Sequence, residues 1–256
     1  PSHQAALLKE TDVYIYTLGP RNPIPWDKIP EDRQKLATFW FHEKNRFVDQ
    51  WKAIARQRKI RMLGIEATLA TPERAKALDL DFEEWNRVMF DGCMADYLEV
   101  ERHGKVLASL LSGDGEVHIS TSHGTDFRFR LVSRPVDYSY GQATREKVEK
   151  GDAVFLPTGG VGVTLDEGSG VGTVVFDLPV RTPNGTIEQL TLELEGGRVA
   201  HVSAERNQKT FERYLNEGKG DVDRFGFFGL GLNPNLRYGF TQDDKVLGSV
   251  EVNIGD

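Results

Sequence analysis

From Val117 onward this chain is a succession of short β-branched and apolar runs, each closed by Gly, Asp, Asn or Ser, and that punctuation admits little besides β-structure. Two links are specific. Pro183-Asn184-Gly185 joins a run beginning at Gly172 to one beginning at Thr186, and Gly196-Gly197 joins Thr186–Glu195 to Arg198–Ala204. Asn-Gly and Gly-Gly supply the positive φ angles that tight hairpins need, so antiparallel neighbours are expected on both sides of each link. Val117–Thr121 and Phe127–Val132 read as strands before them, with Val106–Leu110 as the first of the series. Helices are expected over Gln142–Lys150 and Glu205–Asn216, the second ended by Gly218.

The residues before Gly104 have a different rhythm. Val13-Tyr14-Ile15-Tyr16 is a strand closed by Gly19-Pro20, and the Pro-rich stretch Pro20–Pro30 is a loop. Glu31–Arg58 places Leu36, Phe39, Trp40, Phe47, Trp51, Ile54 and Ala55 at helical spacing, which makes these rings the core face of a helix. Ile60–Leu69 is the next strand. Thr71-Pro72-Glu73 opens a helix, with Thr as cap and Pro in its first turn, and Phe82–Arg102 continues as helix. Strand–helix alternation of this kind builds an open α/β sheet. The expected architecture is therefore an α/β N-terminal part over residues 1–103, an open, mostly parallel sheet with helices, followed by a β-rich α+β C-terminal part over residues 104–256.

Charge and cysteine usage narrow the function. A formal charge of -7 argues against a phosphate-backbone partner, which would want a basic face, so no nucleic acid is expected. The single cysteine, Cys93, permits no internal disulfide and no Cys-based metal site, and in a helical stretch it reads as a structural thiol. No apolar run reaches the roughly 20 residues that span a bilayer, and no signal peptide is visible. A cytoplasmic location without a membrane partner is expected. The chain starts at Pro1 without Met and stops at Asp256 directly after a strand-like run, which suggests a longer parent.

Few motifs carry chemistry on their own. Gly168-Ser169-Gly170-Val171-Gly172 has the glycine density of a phosphate loop, but a strand follows where a helix is required, so a β-loop is expected. Asn184-Gly185-Thr186 fits a glycosylation sequon and is better explained as a hairpin turn. The histidines His3, His42, His103, His118, His123 and His201 form no zinc-protease signature, and no nucleophile elbow occurs. His123 is the candidate acid or base, because Ser122-His123-Gly124-Thr125-Asp126 exposes it at a tight turn; Asp126, of the same turn, is the second catalytic candidate.

Leu156-Pro157-Thr158-Gly159, then Gly229-Leu230-Gly231-Leu232-Asn233-Pro234, then Asp243-Asp244-Lys245-Val246-Leu247-Gly248-Ser249 follow one another as the motifs of the thermophilic metallo-aminopeptidases do, and the chain resembles that family, typified by aminopeptidase T. Gly124-Thr125-Asp126-Phe127 is similar to its Gly-Thr-Asp-Leu turn. The likeness is tightest over residues 120 to 255. It implies a metal-dependent hydrolase that removes N-terminal residues from peptides, a divalent metal such as zinc, cobalt or iron, and a homodimer. Carried over position by position, the family's three ligands in this stretch fall on Gly160, Phe227 and Glu251, so Glu251 alone is a candidate metal ligand. The family's ligating tyrosine and final His-x-Asp pair would lie past Asp256. Three readings stay open: a divergent aminopeptidase with ligands recruited elsewhere, a single-Fe(II) ring-cleaving dioxygenase similar to the dihydroxypyridine dioxygenases, and a metal-free descendant that keeps the fold for binding a peptide or small molecule, or for assembly.

Overall fold

A computed structural model describes residues 2–19, 22, 28–30, 33, 48–182, 185–218 and 220–255. The chain forms two compact units, one of Pro1–Tyr97 with Gly141–Thr158 and one of Leu98–Tyr140 with Gly159–Asp256. The architecture is the expected mixture, a parallel sheet with helices in the first unit and antiparallel sheets in the second.

In the first unit a short helix α1 (Ser2–Lys9) leads to strand β1 (Val13–Thr17), and a helix α2, helical over residues 48–58, leads to β2 (Arg61–Ile65). The helices α3 (Pro72–Leu78) and α4 (Phe82–Cys93) follow. The Thr71 hydroxyl accepts the Arg74 N–H at 3.2 Å, with Pro72 in the first turn, and the Asp81 carboxylate accepts the Glu84 N–H at 2.7 Å. Each cap satisfies a donor that the helix itself leaves open. The third strand arrives from much later in the chain. Helix α6 (Arg145–Lys150) delivers β6 (Val154–Leu156) beside β2, giving the parallel order β1-β2-β6. Leu8, Ala55, Ile60 and Met62 form the buried core of this unit, with Trp51 packed edge-on against Tyr14 and Tyr16. Most of the Pro20–Pro30 loop and the 34–47 stretch with Leu36, Phe39, Trp40 and Phe47 lie outside the described residues.

The second unit opens with α5 (Tyr97–Leu111) and then packs two antiparallel sheets. One contains β3 (Gly115–Ser120), β4 (Asp126–Leu131), β8 (Val171–Val175), β11 (Thr191–Glu195) and β12 (Arg198–Ser203), in the order β12-β11-β8-β4-β3. The other contains β5 (Val136–Ser139), β7 (Gly160–Thr164), β13 (Phe225–Gly231) and β14 (Val250–Ile254), in the order β14-β13-β7-β5. A small hairpin of β9 (Val180–Thr182) and β10 (Gly185–Ile187) pairs Thr182 with Gly185, and helix α7 (Gln208–Glu217) follows β12. Aromatic rings join the two sheets. Phe225 of β13 meets Phe127 and Phe129 of β4 at 4.9 and 5.2 Å between centroids, and Phe228 meets Phe129 at 5.1 Å. Fully burying each such ring contributes about 1.5–3 kcal/mol, and favourable edge-to-face geometry adds about 0.5–1.5 kcal/mol per pair.

Several local expectations change. Val106–Leu110 is helix, the second half of α5, and not a strand. Gly104, where the sequence rhythm changes, is buried inside the helix, where a Cβ would sit 3.1 Å from the Tyr138 ring; its bare backbone is what lets α5 approach β5. The helix expected over Phe82–Arg102 is two helices, interrupted after Cys93, which is half-buried. The strand expected over Ile60–Leu69 ends at Ile65 and turns into a single 3-10 turn, while Thr186–Glu195 divides into β10 and β11. The strand signalled after Gly-Gly is present, with Glu195 opposite Arg198. The 168–172 glycine run is a β-loop feeding β8: a side chain on Gly172, at φ +113°, would collide with the Asp126 carbonyl.

Candidate functional site

The three positions that the resemblance marks fall on three adjacent strands: Gly160 on β7, Phe227 on β13 and Glu251 on β14. Directly paired residues share a face of a sheet, and residues two apart on one strand do as well. Gly229 is paired with Gly162 on one side and Glu251 on the other, Gly231 with Gly160, and Phe227 with Asn253. Asp137 and Ser139 of β5 stand opposite Gly162 and Gly160. All of these residues therefore look out from one face of the four-stranded sheet. The alternate residues Val161, Val163 and Phe228 are buried on its other face.

Glycine gives that outer face its shape. A side chain on Gly162 would collide with the Phe227 ring, which lies over the bare backbone. A Cβ on Gly229 would stand 3.0 Å from a ring carbon of Phe227 and 2.9 Å from Glu251 Oε2. Ring and carboxylate thus lie side by side on a glycine floor. The Asn253 amide donates to Glu251 Oε1 at 2.9 Å. Burial pushes the Glu251 carboxyl up from its ordinary value; the Asn253 hydrogen bond pulls it back, Asp244 adds to the rise and Lys245 opposes it. Sequence reasoning missed Asn253, Asp137 and Ser139. The alternation Val250-Glu251-Val252-Asn253-Ile254 was the available signal for Asn253, since period two places it beside Glu251.

The other motif residues fasten this floor in place. Asn233 is fully buried, its N–H donates to the Lys245 carbonyl at 2.8 Å, and its own carbonyl accepts from Leu247 N–H at 2.9 Å. Ser249 Oγ donates to the Asp244 carbonyl at 2.8 Å, and its carbonyl accepts the Gly231 N–H at 3.0 Å. A side chain on Gly231 would strike this turn's carbonyls.

The catalytic candidates from sequence lie elsewhere. His123 is exposed at the β3–β4 turn. Asp126 is exposed and pairs with His118 Nε2 at 2.7 Å. It alternates with the buried Phe127, so Asp126 points out from the five-stranded sheet while Glu251 points out from the four-stranded one. The structure does not bring them together. The Gly-Thr-Asp turn owes its shape to Thr125, buried, whose hydroxyl accepts from Val175 N–H at 3.0 Å and donates to the Val175 carbonyl at 3.3 Å.

A cavity of about 670 Å³ adjoins β14 in the same unit. Phe176, Leu192, Phe211, Tyr214 and Val252 line it, and so does Asn253, the residue that holds Glu251.

The sequence profile of the thermophilic metalloproteases (M29) matches residues 68–234. The chain belongs to this family. Two solved structures share the fold: AmpT from Thermus thermophilus, with a TM-score of 0.56 and 16% identity over 98% of this chain and 65% of its own, and a 2,5-dihydroxypyridine dioxygenase from Pseudomonas putida KT2440, with a TM-score of 0.52 and 19% identity over 95% of this chain and 58% of its own. At such identities the likeness shows the fold alone. The chain spans less than two thirds of the length of either. No curated protein matches it.

Against this M29 background the donor set can be judged. Of the three marked positions, Gly160 and Phe227 supply no donor atom and Glu251 supplies one carboxylate. Among the described residues no group of three or more His, Cys, Asp or Glu is placed to hold a metal ion. Two-metal hydrolysis needs several anionic or imidazole ligands around a pair of ions about 3.5–4 Å apart. The outer face of the four-stranded sheet does not fit that group. No helix among the described residues is long and apolar enough to cross a membrane.

Proposed function

We propose that this chain is a metal-free member of the M29 metalloprotease family, in which the sheet face that the relatives would use for hydrolysis has become a binding surface for a peptide or peptide-like small molecule. The observation that carries this reading is the Phe227 ring lying over Gly162, an apolar group in the space where the resemblance implies an anionic ligand. Family membership supports a peptide as the ligand class. The likeness to the dioxygenase concerns the fold alone. A cytoplasmic setting and a homodimer, implied by composition and by the resemblance respectively, belong to the same proposal, and light scattering on the purified protein tests the second.

The direct test is elemental analysis of the purified chain after incubation with Zn²⁺, Co²⁺ or Fe²⁺, together with release of p-nitroaniline from aminoacyl anilides. Less than about a tenth of an equivalent of retained metal and no metal-dependent release are expected. Two retained ions per chain, or release that appears with Co²⁺, would return the protein to the hydrolases; one tightly held iron would favour the dioxygenase reading.

A further inference from the structure

We infer that the cavity at the β14 edge binds an alkyl or arylalkyl carboxylate, with the apolar chain lodged between the two sheets and the carboxylate at Arg213 of α7. The site lies apart from the outer face that carries Glu251, and it does not depend on how that face is read. Val252 pairs with Phe228 and Ile254 with Phe225, so both turn to the inner side of the four-stranded sheet, where they line the cavity. Leu192 lines it from the five-stranded sheet, where its strand partners Val174 and Val202 are buried. The cavity is therefore an open end of the space between the sheets. Its volume of about 670 Å³ is that of a small-ligand pocket.

Helix α7 roofs this space. Thr210, Arg213, Tyr214 and Glu217 recur at helical spacing, with Phe211 beside them, so one side of the helix faces the cavity. A short helix is held in place mainly by packing of its apolar side, yet no residue of α7 is buried and Tyr214 is exposed. The helix is fastened instead at its start: Asn207 Nδ2 donates to the Thr186 carbonyl at 2.7 Å, and Arg206 pairs with Glu188 at 2.9 Å. An apolar chain in the cavity would cover Phe211 and Tyr214 from below. The charged groups at the lining choose the head group. Arg181 donates to the Gly239 carbonyl at 3.2 Å and stands 3.8 Å from Asp243, so it is already engaged. The Arg213 guanidinium has no hydrogen-bond or ion-pair partner among the described residues. Thr210, one turn earlier on the same side, sets a hydroxyl beside it. A planar guanidinium and a hydroxyl are the donors a carboxylate takes up, through short charge-assisted hydrogen bonds. Glu217, one turn farther along, is the lining carboxylate that an amine would choose instead.

Calorimetric titration of the whole chain with decanoate, octanoate, decan-1-ol and decylamine, each below its solubility limit and micelle threshold, tests the site. Saturable binding of decanoate is expected, with octanoate weaker by about fifteenfold for its two missing methylenes. Decan-1-ol should bind at least about tenfold more weakly than decanoate, and Arg213→Gln should remove about that factor for decanoate while leaving decan-1-ol unchanged. Val252→Phe, which fills the inner side of the cavity, should abolish binding of both. Amide hydrogen exchange across Gln208–Glu217 should slow when decanoate binds, because the chain covers the underside of α7. No saturable decanoate binding, equal affinity for acid and alcohol, or an Arg213→Gln chain that binds decanoate as the wild type does overturns the inference. Unchanged exchange in α7 on saturation overturns it as well, and decylamine bound more tightly than decanoate overturns the choice of an anion. Should Val252→Phe fail to fold by circular dichroism, Arg213→Gln, at an exposed position, decides.

Discussion

The two faces of strand β13 make opposite use of the same stretch of chain. Phe225 and Phe228 turn inward, where they meet Phe127 and Phe129 and lose nearly all contact with water. Gly229 and Gly231 turn outward, where Phe227 and Glu251 lie over Gly229 and the turn before β14 lies over Gly231. The inward face is optimised for burial and tolerates no loss of volume. The outward face gives up side-chain packing, although glycine weakens a strand interior. On the outer face glycine makes room for one ring, one carboxylate and one turn, whereas the inner face is held by interlocking side chains.

Substitutions on the two faces should separate them. The largest effect is expected from Phe225→Ala, which removes a fully buried ring and should cost about 3–5 kcal/mol in denaturant unfolding. A cost below about 1 kcal/mol would mean that the seam does not hold the sheets together. On the outer face, Gly162→Ala should cost about 1–3 kcal/mol because the added methyl meets the Phe227 ring. Adding Phe227→Ala to that variant should recover most of the loss, and simple additivity of the two changes would show that ring and glycine are not in contact. Thr125→Val should cost about 1–3 kcal/mol by leaving the half-buried Val175 N–H without its acceptor. Asp126→Asn, at the exposed pair with His118, should change stability by about 1 kcal/mol at most. The smallest effect is expected at Gly160, where the nearest atom to an added Cβ is 3.5 Å away; Gly160→Ala should leave the unfolding free energy unchanged or raise it by about 0.5 kcal/mol. A large loss there would contradict the open floor around Gly160.

Much of this was legible before any coordinates. The Gly196-Gly197 hairpin, the β-loop character of residues 168–172 and the capped start at Thr71-Pro72 follow from local backbone chemistry, and the structure contains all three. Local signals failed where a long-range contact outweighed them. Gly104 reads as a break in any window of sequence, yet it lies within a helix because Tyr138, from a distant strand, packs against it. Likewise nothing around Val154 announces that β6 completes the parallel sheet begun by β1 and β2. The site was only half readable. The resemblance marked Gly160, Phe227 and Glu251, which the fold brings to one face, but His123 and Asp126 drew attention for their turn, and the fold turns Asp126 to the other outer face.

The sequence by itself determined the fold class and the family, because glycine placement, strand alternation and side-chain identity are local properties. Only the tertiary structure decided that Gly160, Gly162, Gly229, Gly231, Phe227 and Glu251 share one surface, that the ring fills the space over Gly162, and that Asn253 holds the Glu251 carboxylate. Those relations depend on strand register, and register is set by the whole set of inward-facing side chains that must be buried together.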